Sequence, residues 1–101
     1  MSHPLFDKHQ ATLERALRIE PRNYFVWSML AKTYLAQNNY AQADSVAGKS
    51  NALARGNVYV ELENWRTIEA ARKAQGDDAG AGLARERVQG LEQWLTERTP
   101  Q

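Results

Sequence analysis

Apolar residues recur at helical spacing along almost the whole chain, and the breaks between runs fall on asparagine, glycine and proline. An apolar stripe from Leu5 to Ile19 stops just before Pro21, and Asn23 is placed to cap a helix from about Tyr24 to Gln37. Asn38-Asn39 then turns the chain. Asn38 tolerates a left-handed conformation, and Asn39 with Gln42 three positions later has the spacing of a capping box for a helix over about Tyr40 to Ala54. Gly56-Asn57 breaks and caps again before a helix from about Val58 to Gln75, and Gly76-Asp77 leads into a last helix from about Asp78 to Glu97. On that helix Ala84, Val88, Leu91 and Leu95 share a face, while Arg85, Glu86, Arg87 and Glu92 form much of the wet side. Gly80, Gly82 and Gly90 lower its intrinsic propensity, so packing has to hold it together. The pattern predicts an all-α chain of five antiparallel helices over residues 5–97, with a flexible segment over 1–4 and a short tail over 98–101.

A shift of 38 residues lays the sequence over itself: Trp27-Ser28-Met29-Leu30 falls on Trp65-Arg66-Thr67-Ile68, Ala36-Gln37-Asn38-Asn39 on Ala74-Gln75-Gly76-Asp77, and Ala43 on Ala81. Each copy carries an aromatic anchor with an aliphatic residue three positions later on the same helix face, then a small-residue turn, then a second helix that brings alanine against the first.

This spacing resembles the tetratricopeptide repeat, an antiparallel helix pair of about 34 residues. Trp27, Leu30, Ala31, Tyr34, Tyr40, Ala43 and Ala47 match the family pattern in the first complete unit, and Trp65, Ile68, Gly76, Asp77 and Ala81 match it in the second. Leu13, Ala16 and Pro21 fit the latter half of a preceding unit, so the resemblance covers nearly the whole chain and implies a short right-handed superhelical array. Two departures stand out. Arg72 replaces the family's expected aromatic and Arg85 its usual small or aromatic packing residue, as suits a terminal unit with no repeat following it. The period also exceeds the family unit by about four residues, roughly 6 Å of helix, which points to a lengthened helix or displaced junction between Ser50 and Leu62.

Composition adds exclusions. With 101 residues, 43% of them hydrophobic, the chain suits one small domain with a modest core. It has no cysteine, which removes disulfides and thiolate metal sites, and His3 and His9 lie near one end without a pattern that completes a metal site. No cofactor is expected. A net charge of +1 gives no basis for broad recruitment to nucleic acid or an anionic membrane. The start has no signal-like apolar segment and no stretch spans a bilayer, so membrane association is expected only through a lipid anchor carried upstream. The chain shows no nucleophile–base constellation and no phosphate-binding loop; Glu61 and Glu63, two positions apart, point to different sides of a helix. The expectation is a protein without enzymatic activity.

The family resemblance implies a partner surface on the first helix of each unit: Phe25, Ser28, Lys32, Leu35 and Ala36, then Glu63, Arg66, Ala70, Lys73 and Ala74. Lys32, Arg66 and Lys73 are suited to a partner's carboxylates or backbone oxygens, Phe25 and Leu35 to apolar side chains, and Glu63 to charge selection. The alternative for the three cations is simple solubilisation of a short array. Ser28 and Ala36 stand where asparagine would support a clamp for acidic chaperone tails, which argues against that ligand. Trp27 and Trp65 are expected in the core. Trp94 is expected to cover the last helix or to dock a partner, and Tyr24, Phe25 and Tyr59 are candidates for exposed aromatic contacts beside turns.

A narrower resemblance lies in Ser50-Asn51-Ala52-Leu53-Ala54, Asn64-Trp65-Arg66-Thr67-Ile68-Glu69-Ala70-Ala71-Arg72 and Gly76-Asp77. These segments resemble the carboxy-terminal region of a group of proteobacterial outer-membrane tetratricopeptide lipoproteins. That resemblance implies a periplasmic domain that binds and activates a class A penicillin-binding protein in peptidoglycan synthesis. The other reading is a general assembly scaffold or oligomerisation module.

Overall fold

The computed structural model describes residues 4–98, which form five α-helices: α1 (Pro4–Ile19), α2 (Tyr24–Ala36), α3 (Tyr40–Leu53), α4 (Val58–Ala74) and α5 (Asp78–Arg98). The boundaries lie within one residue of those expected, because Gln37, Ala54 and Gln75 are C-caps rather than last helical residues. The expected flexible start and tail fall mostly on residues 1–3, His3 among them, and 99–101, outside those described; Pro4 and Arg98 belong to helices. Each helix packs on the next in sequence, and α2 also packs on α4, so α2 and α4 form one layer and α1, α3 and α5 flank it.

The turns follow from three asparagines and two glycines. Asn23 and Asn57 cap α2 and α4: the Val26 and Val60 amides donate to their Oδ1 atoms, each at 3.3 Å. Asn38 has φ 63°, and Gly56 and Gly76 lie at 91° and 77°, the left-handed residues that end the preceding helices. The capping box expected from Asn39 and Gln42 does not form. The Asn39 side chain makes no cap; its Nδ2 donates to Gln37 Oε1 at 3.3 Å, so α3 starts on the Asn39 carbonyl, which accepts from the Ala43 amide at 2.9 Å.

The core is a seam of small residues. Ala31 on α2, Ala47 on α3, Ile68 on α4 and Ala84 on α5 form one buried cluster, with Trp65 and Val46 packed against it. Trp27 and Trp65 are only half-buried. The Trp27 Nε1 donates to the Pro21 carbonyl at 2.8 Å, tying α2 to the turn before it, and Arg87 lies over the Trp65 ring at 5.6 Å. Tyr34 and Tyr40 sit half-buried at the end of α2 and start of α3, and burial, with the Glu14 carboxylate nearby, pushes the Tyr34 phenol up.

Buried polar groups set the α2–α3–α4 junction. Asn64 and Ser50 are fully buried: Asn64 Nδ2 donates to Ser50 Oγ at 2.8 Å and to Asn51 Oδ1 at 3.0 Å, and Ser50 Oγ donates to the Tyr24 carbonyl at 2.8 Å. Asn64 Oδ1 and Asn51 Nδ2 have no hydrogen-bond partner among the described residues.

Both sequence departures have a structural explanation. The tryptophan anchors are 38 residues apart, yet α2 and α4 begin 34 apart, at Tyr24 and Val58. The difference is one extra turn at the start of α4, which has 17 residues against 13 in α2; the lengthened helix is therefore within 58–61. Arg72 does not face an uncovered outer side. Its Nε donates to Asp44 Oδ2 at 2.9 Å and its Nη1 to the Gly80 carbonyl at 3.1 Å, so it stitches α3, α4 and α5 with the half-buried stem in the aromatic's place. Arg85 is exposed, as a terminal unit requires.

Gly80 faces this stitch. Asp77 Oδ1 accepts its amide at 2.9 Å, and a Cβ there meets the Asp77 carboxylate and Arg72 Cδ, whereas nothing lies within 4 Å of one at Gly82. We therefore expect Gly82→Ala to raise the unfolding free energy read from urea titration by about 0.5–1 kcal/mol through helix propensity. Gly80→Ala should lose that gain to the displaced Asp77 cap and come out roughly 1–2 kcal/mol less stable than Gly82→Ala. Trp27→Ala and Trp65→Ala should each cost about 2–4 kcal/mol in the same measurement, toward the lower end of large-to-small changes because both rings are half exposed.

Candidate functional site

The side-by-side packing of α2 and α4 leaves a groove between them. Phe25, Ser28, Met29 and Lys32 of α2 face Tyr59, Val60 and Glu63 of α4 across a cavity of about 240 Å³. On the other side of Met29 and Lys32 a second depression, of about 400 Å³, opens toward α1 and is lined by His9, Thr12, Leu13 and Thr33. The two share Met29 and Lys32, so they form one inner face with an interrupted floor. Phe25 and Met29 are about half exposed, at 54% and 53%, and present the apolar surface a partner's side chains would cover.

A ladder of charge crosses the same face. Lys32 Nζ lies 3.0 Å from Glu63 Oε2, Arg66 Nη1 lies 3.2 Å from Glu63 Oε1, and Arg66 Nη2 lies 2.9 Å from Glu92 Oε2. The alternation links α2, α4 and α5 through side chains that are all about half exposed. The Lys32–Glu63 pair therefore contributes less than about 1 kcal/mol to stability. Its larger effect is orientation, because each charged end is held over the groove by the next.

Of the residues selected from the sequence, Lys32, Glu63 and Arg66 are brought together, and Phe25 stands at the rim. Ser28 is 7% exposed and lies on the groove floor, too deep for a primary contact. Leu35 is half-buried, while Ala36, Ala70, Lys73 and Ala74 are exposed nearer the C-terminal ends of α2 and α4, outside the groove lining. Lys32 and Arg66, suited by sequence to a partner's carboxylates, are already partnered within the domain by Glu63 and Glu92. Sequence reasoning missed Met29, Val60 and Glu92. Met29 stands one helical turn after Phe25, a signal within reach, but the Arg66–Glu92 pairing bridges two helices and leaves no local trace. Among the described residues no group of three histidines or acids could hold a metal, and no helix is long and apolar enough to cross a membrane.

The hydrogen bond from Lys32, aided by the Lys32 and Arg66 charges and opposed by partial burial, holds the Glu63 carboxyl below its ordinary range. Glu63 thus binds its proton more weakly folded than unfolded. Its contribution is present above the ordinary carboxylate range and is lost as pH falls through and below it. We expect the unfolding free energy read from urea titration to fall on acidification through that window. The fall should be smaller, by less than about 1 kcal/mol, in Glu63→Gln, and it should shrink in both proteins at high salt.

The comparisons with known proteins agree with this architecture. The tetratricopeptide repeat family model matches residues 12–44, the span from mid α1 to the start of α3. No curated protein sequence matches. Among solved structures, the globular C-terminal domain of LpoP from P. aeruginosa aligns with a TM-score of 0.80 and 42% identity, over 83% of this chain and 79% of that one. Identity at that level over most of the chain, joined to a closely superposable fold, places the chain in the family of tetratricopeptide-type domains to which the LpoP C-terminal domain belongs.

Proposed function

We propose that this domain is a noncatalytic protein-binding module that docks a periplasmic class A penicillin-binding protein through its inner face and favours the active state of that synthase. The observation that carries the reading is the 42% identity to the LpoP C-terminal domain over 83% of the chain. The inner face supplies means of recognition that suit it: apolar contact at Phe25 and Met29, and a fixed charge order along Lys32, Glu63, Arg66 and Glu92. Activation then requires tighter binding to the active than to the inactive synthase, since equal affinity shifts no equilibrium. The proposal places the domain at the periplasmic face of the outer membrane, held there by a lipid anchor outside this domain.

The charge ladder allows a test that separates binding from folding. Lys32→Glu and Arg66→Glu should each weaken binding to the purified synthase by about tenfold, with circular dichroism unchanged. The paired exchange of the whole ladder, Lys32→Glu and Arg66→Glu with Glu63→Lys and Glu92→Lys, restores each internal ion pair in reverse. It should recover any lost stability yet leave binding weak. Full recovery of binding by the paired exchange would show that the ladder serves only the fold, and failure of the folded parent domain to bind any class A synthase would leave the scaffold reading in its place.

A further inference from the structure

A wide depression lies away from the inner-face floor, at the edge where the α3–α4 turn meets the end of α5. It measures about 590 Å³, and its walls include Tyr24, Arg55, Asn57, Tyr59, Trp94 and Arg98. Three aromatic rings and two guanidinium groups converge here, and among the described residues no acid lines the cleft. Tyr59 is 70% exposed and Trp94 41%, so the rings form accessible walls rather than core.

The two cations differ from Lys32 and Arg66 in having no strong internal partner. Arg98 Cζ stacks over the Trp94 ring at 3.9 Å, and its Nη1 reaches only the Trp94 carbonyl at 3.4 Å and Glu97 Oε2 at 3.9 Å. Arg55 is exposed and forms no ion pair among the described residues. Among the described residues the cleft therefore holds one cation without an acid, Arg55, and one weakly paired, Arg98, whereas Lys32 and Arg66 at the inner face lie 3.0 Å and 2.9 Å from their acids. The polar floor is fixed: Asn57 Nδ2 donates to the Tyr24 hydroxyl at 3.4 Å while its Oδ1 accepts from the Val60 amide.

The cleft is also where the chain departs from its own repeat. Tyr59 belongs to the extra first turn of α4, and Trp94 and Arg98 lie on the last two turns of the 21-residue α5. Without the added turn of α4 there would be no aromatic at Tyr59 to face Trp94. Tyr59 also lines the inner groove, so a chain leaving that groove past Tyr59 enters the cleft directly.

We infer that this edge cleft is a second binding site, for an extended acidic peptide segment of a protein partner that carries an aromatic or apolar side chain beside its carboxylates. The carboxylates meet Arg55 and Arg98, and the apolar side chain lies between Tyr59 and Trp94. An open cleft with only weakly compensated positive charge and aromatic walls fits a chain segment that brings both groups together, and does not fit a purely apolar helix. The site stands independently of what the inner face binds.

The test uses the ¹⁵N-labelled domain and three acetylated, amidated hexapeptides: one with two glutamates flanking a phenylalanine, its glutamine counterpart and its lysine counterpart. The glutamate peptide is expected to shift the amides of Gly56, Asn57 and Tyr59 and the indole of Trp94. Arg55→Glu and Arg98→Glu should each weaken it at least about fivefold, while Lys32→Glu, a change at the inner face, leaves it unaltered. Equal binding of the glutamine or lysine peptide overturns the proposal, as do shifts confined to Phe25, Lys32 and Glu63, or no shift at millimolar peptide. The same shifts produced by sodium acetate alone at equal concentration reduce the cleft to a simple anion site and overturn its peptide specificity.

Discussion

The closeness with which α2, α3, α4 and α5 meet through alanine governs the rest of the molecule. Ala31, Ala47 and Ala84 are fully buried in the seam, joined by Ile68, and Ala43 and Ala71 are buried as completely. Small side chains let helices approach, but each contributes little transfer free energy, so the seam provides shape more than stability. Larger groups are displaced to its borders. Trp27 and Trp65 lie half-buried beside it, and Phe25, Tyr59 and Trp94 are pushed to the rims of grooves. The surfaces available for recognition are thus a by-product of how the interior is closed.

A second constraint is the unequal length of the two inner helices. Because α4 begins one turn earlier relative to its anchor than α2 does, the two repeats present different edges although their cores superpose by sequence. On the inner face the consequence is a wall at Tyr59 and Val60 opposite Phe25 and Met29; at the end of the molecule it is an aromatic partner for Trp94. Electrostatics divides the same surface. The inner face holds its cations in register with Glu63 and Glu92, while the edge leaves Arg55 without an acid.

The fold was legible because its determinants are local. Asn23, Asn57, Asn38, Gly56 and Gly76 act within a few residues of where they stand, and the alanine and tryptophan positions repeat at a fixed shift. What escaped sequence reasoning was nonlocal. Asn39 has the spacing of a capping residue, but Gln37 competes for its side chain. Arg72 looked like an exposed replacement for an aromatic until α3 supplied Asp44 and α5 the Gly80 carbonyl. The candidate face was legible in outline from Phe25, Lys32, Glu63 and Arg66, whereas the depth of Ser28 and the neutralisation by Glu92 depend on the angle at which helices meet.

The buried Asn64 has a consequence for the alanine seam. A surface of small, similar side chains is smooth, and smooth helices can slip past one another by a turn with little change in contact. Asn64 breaks that degeneracy: only one alignment brings its amide to Ser50 and, through Ser50, to the backbone of Tyr24. Its hydrogen bonds replace bonds to water in the unfolded chain, so they contribute only modestly to stability. It acts as an indexing pin, making every misaligned stacking of the same helices more expensive than the correct one, so that the grooves on the outside always have the same shape.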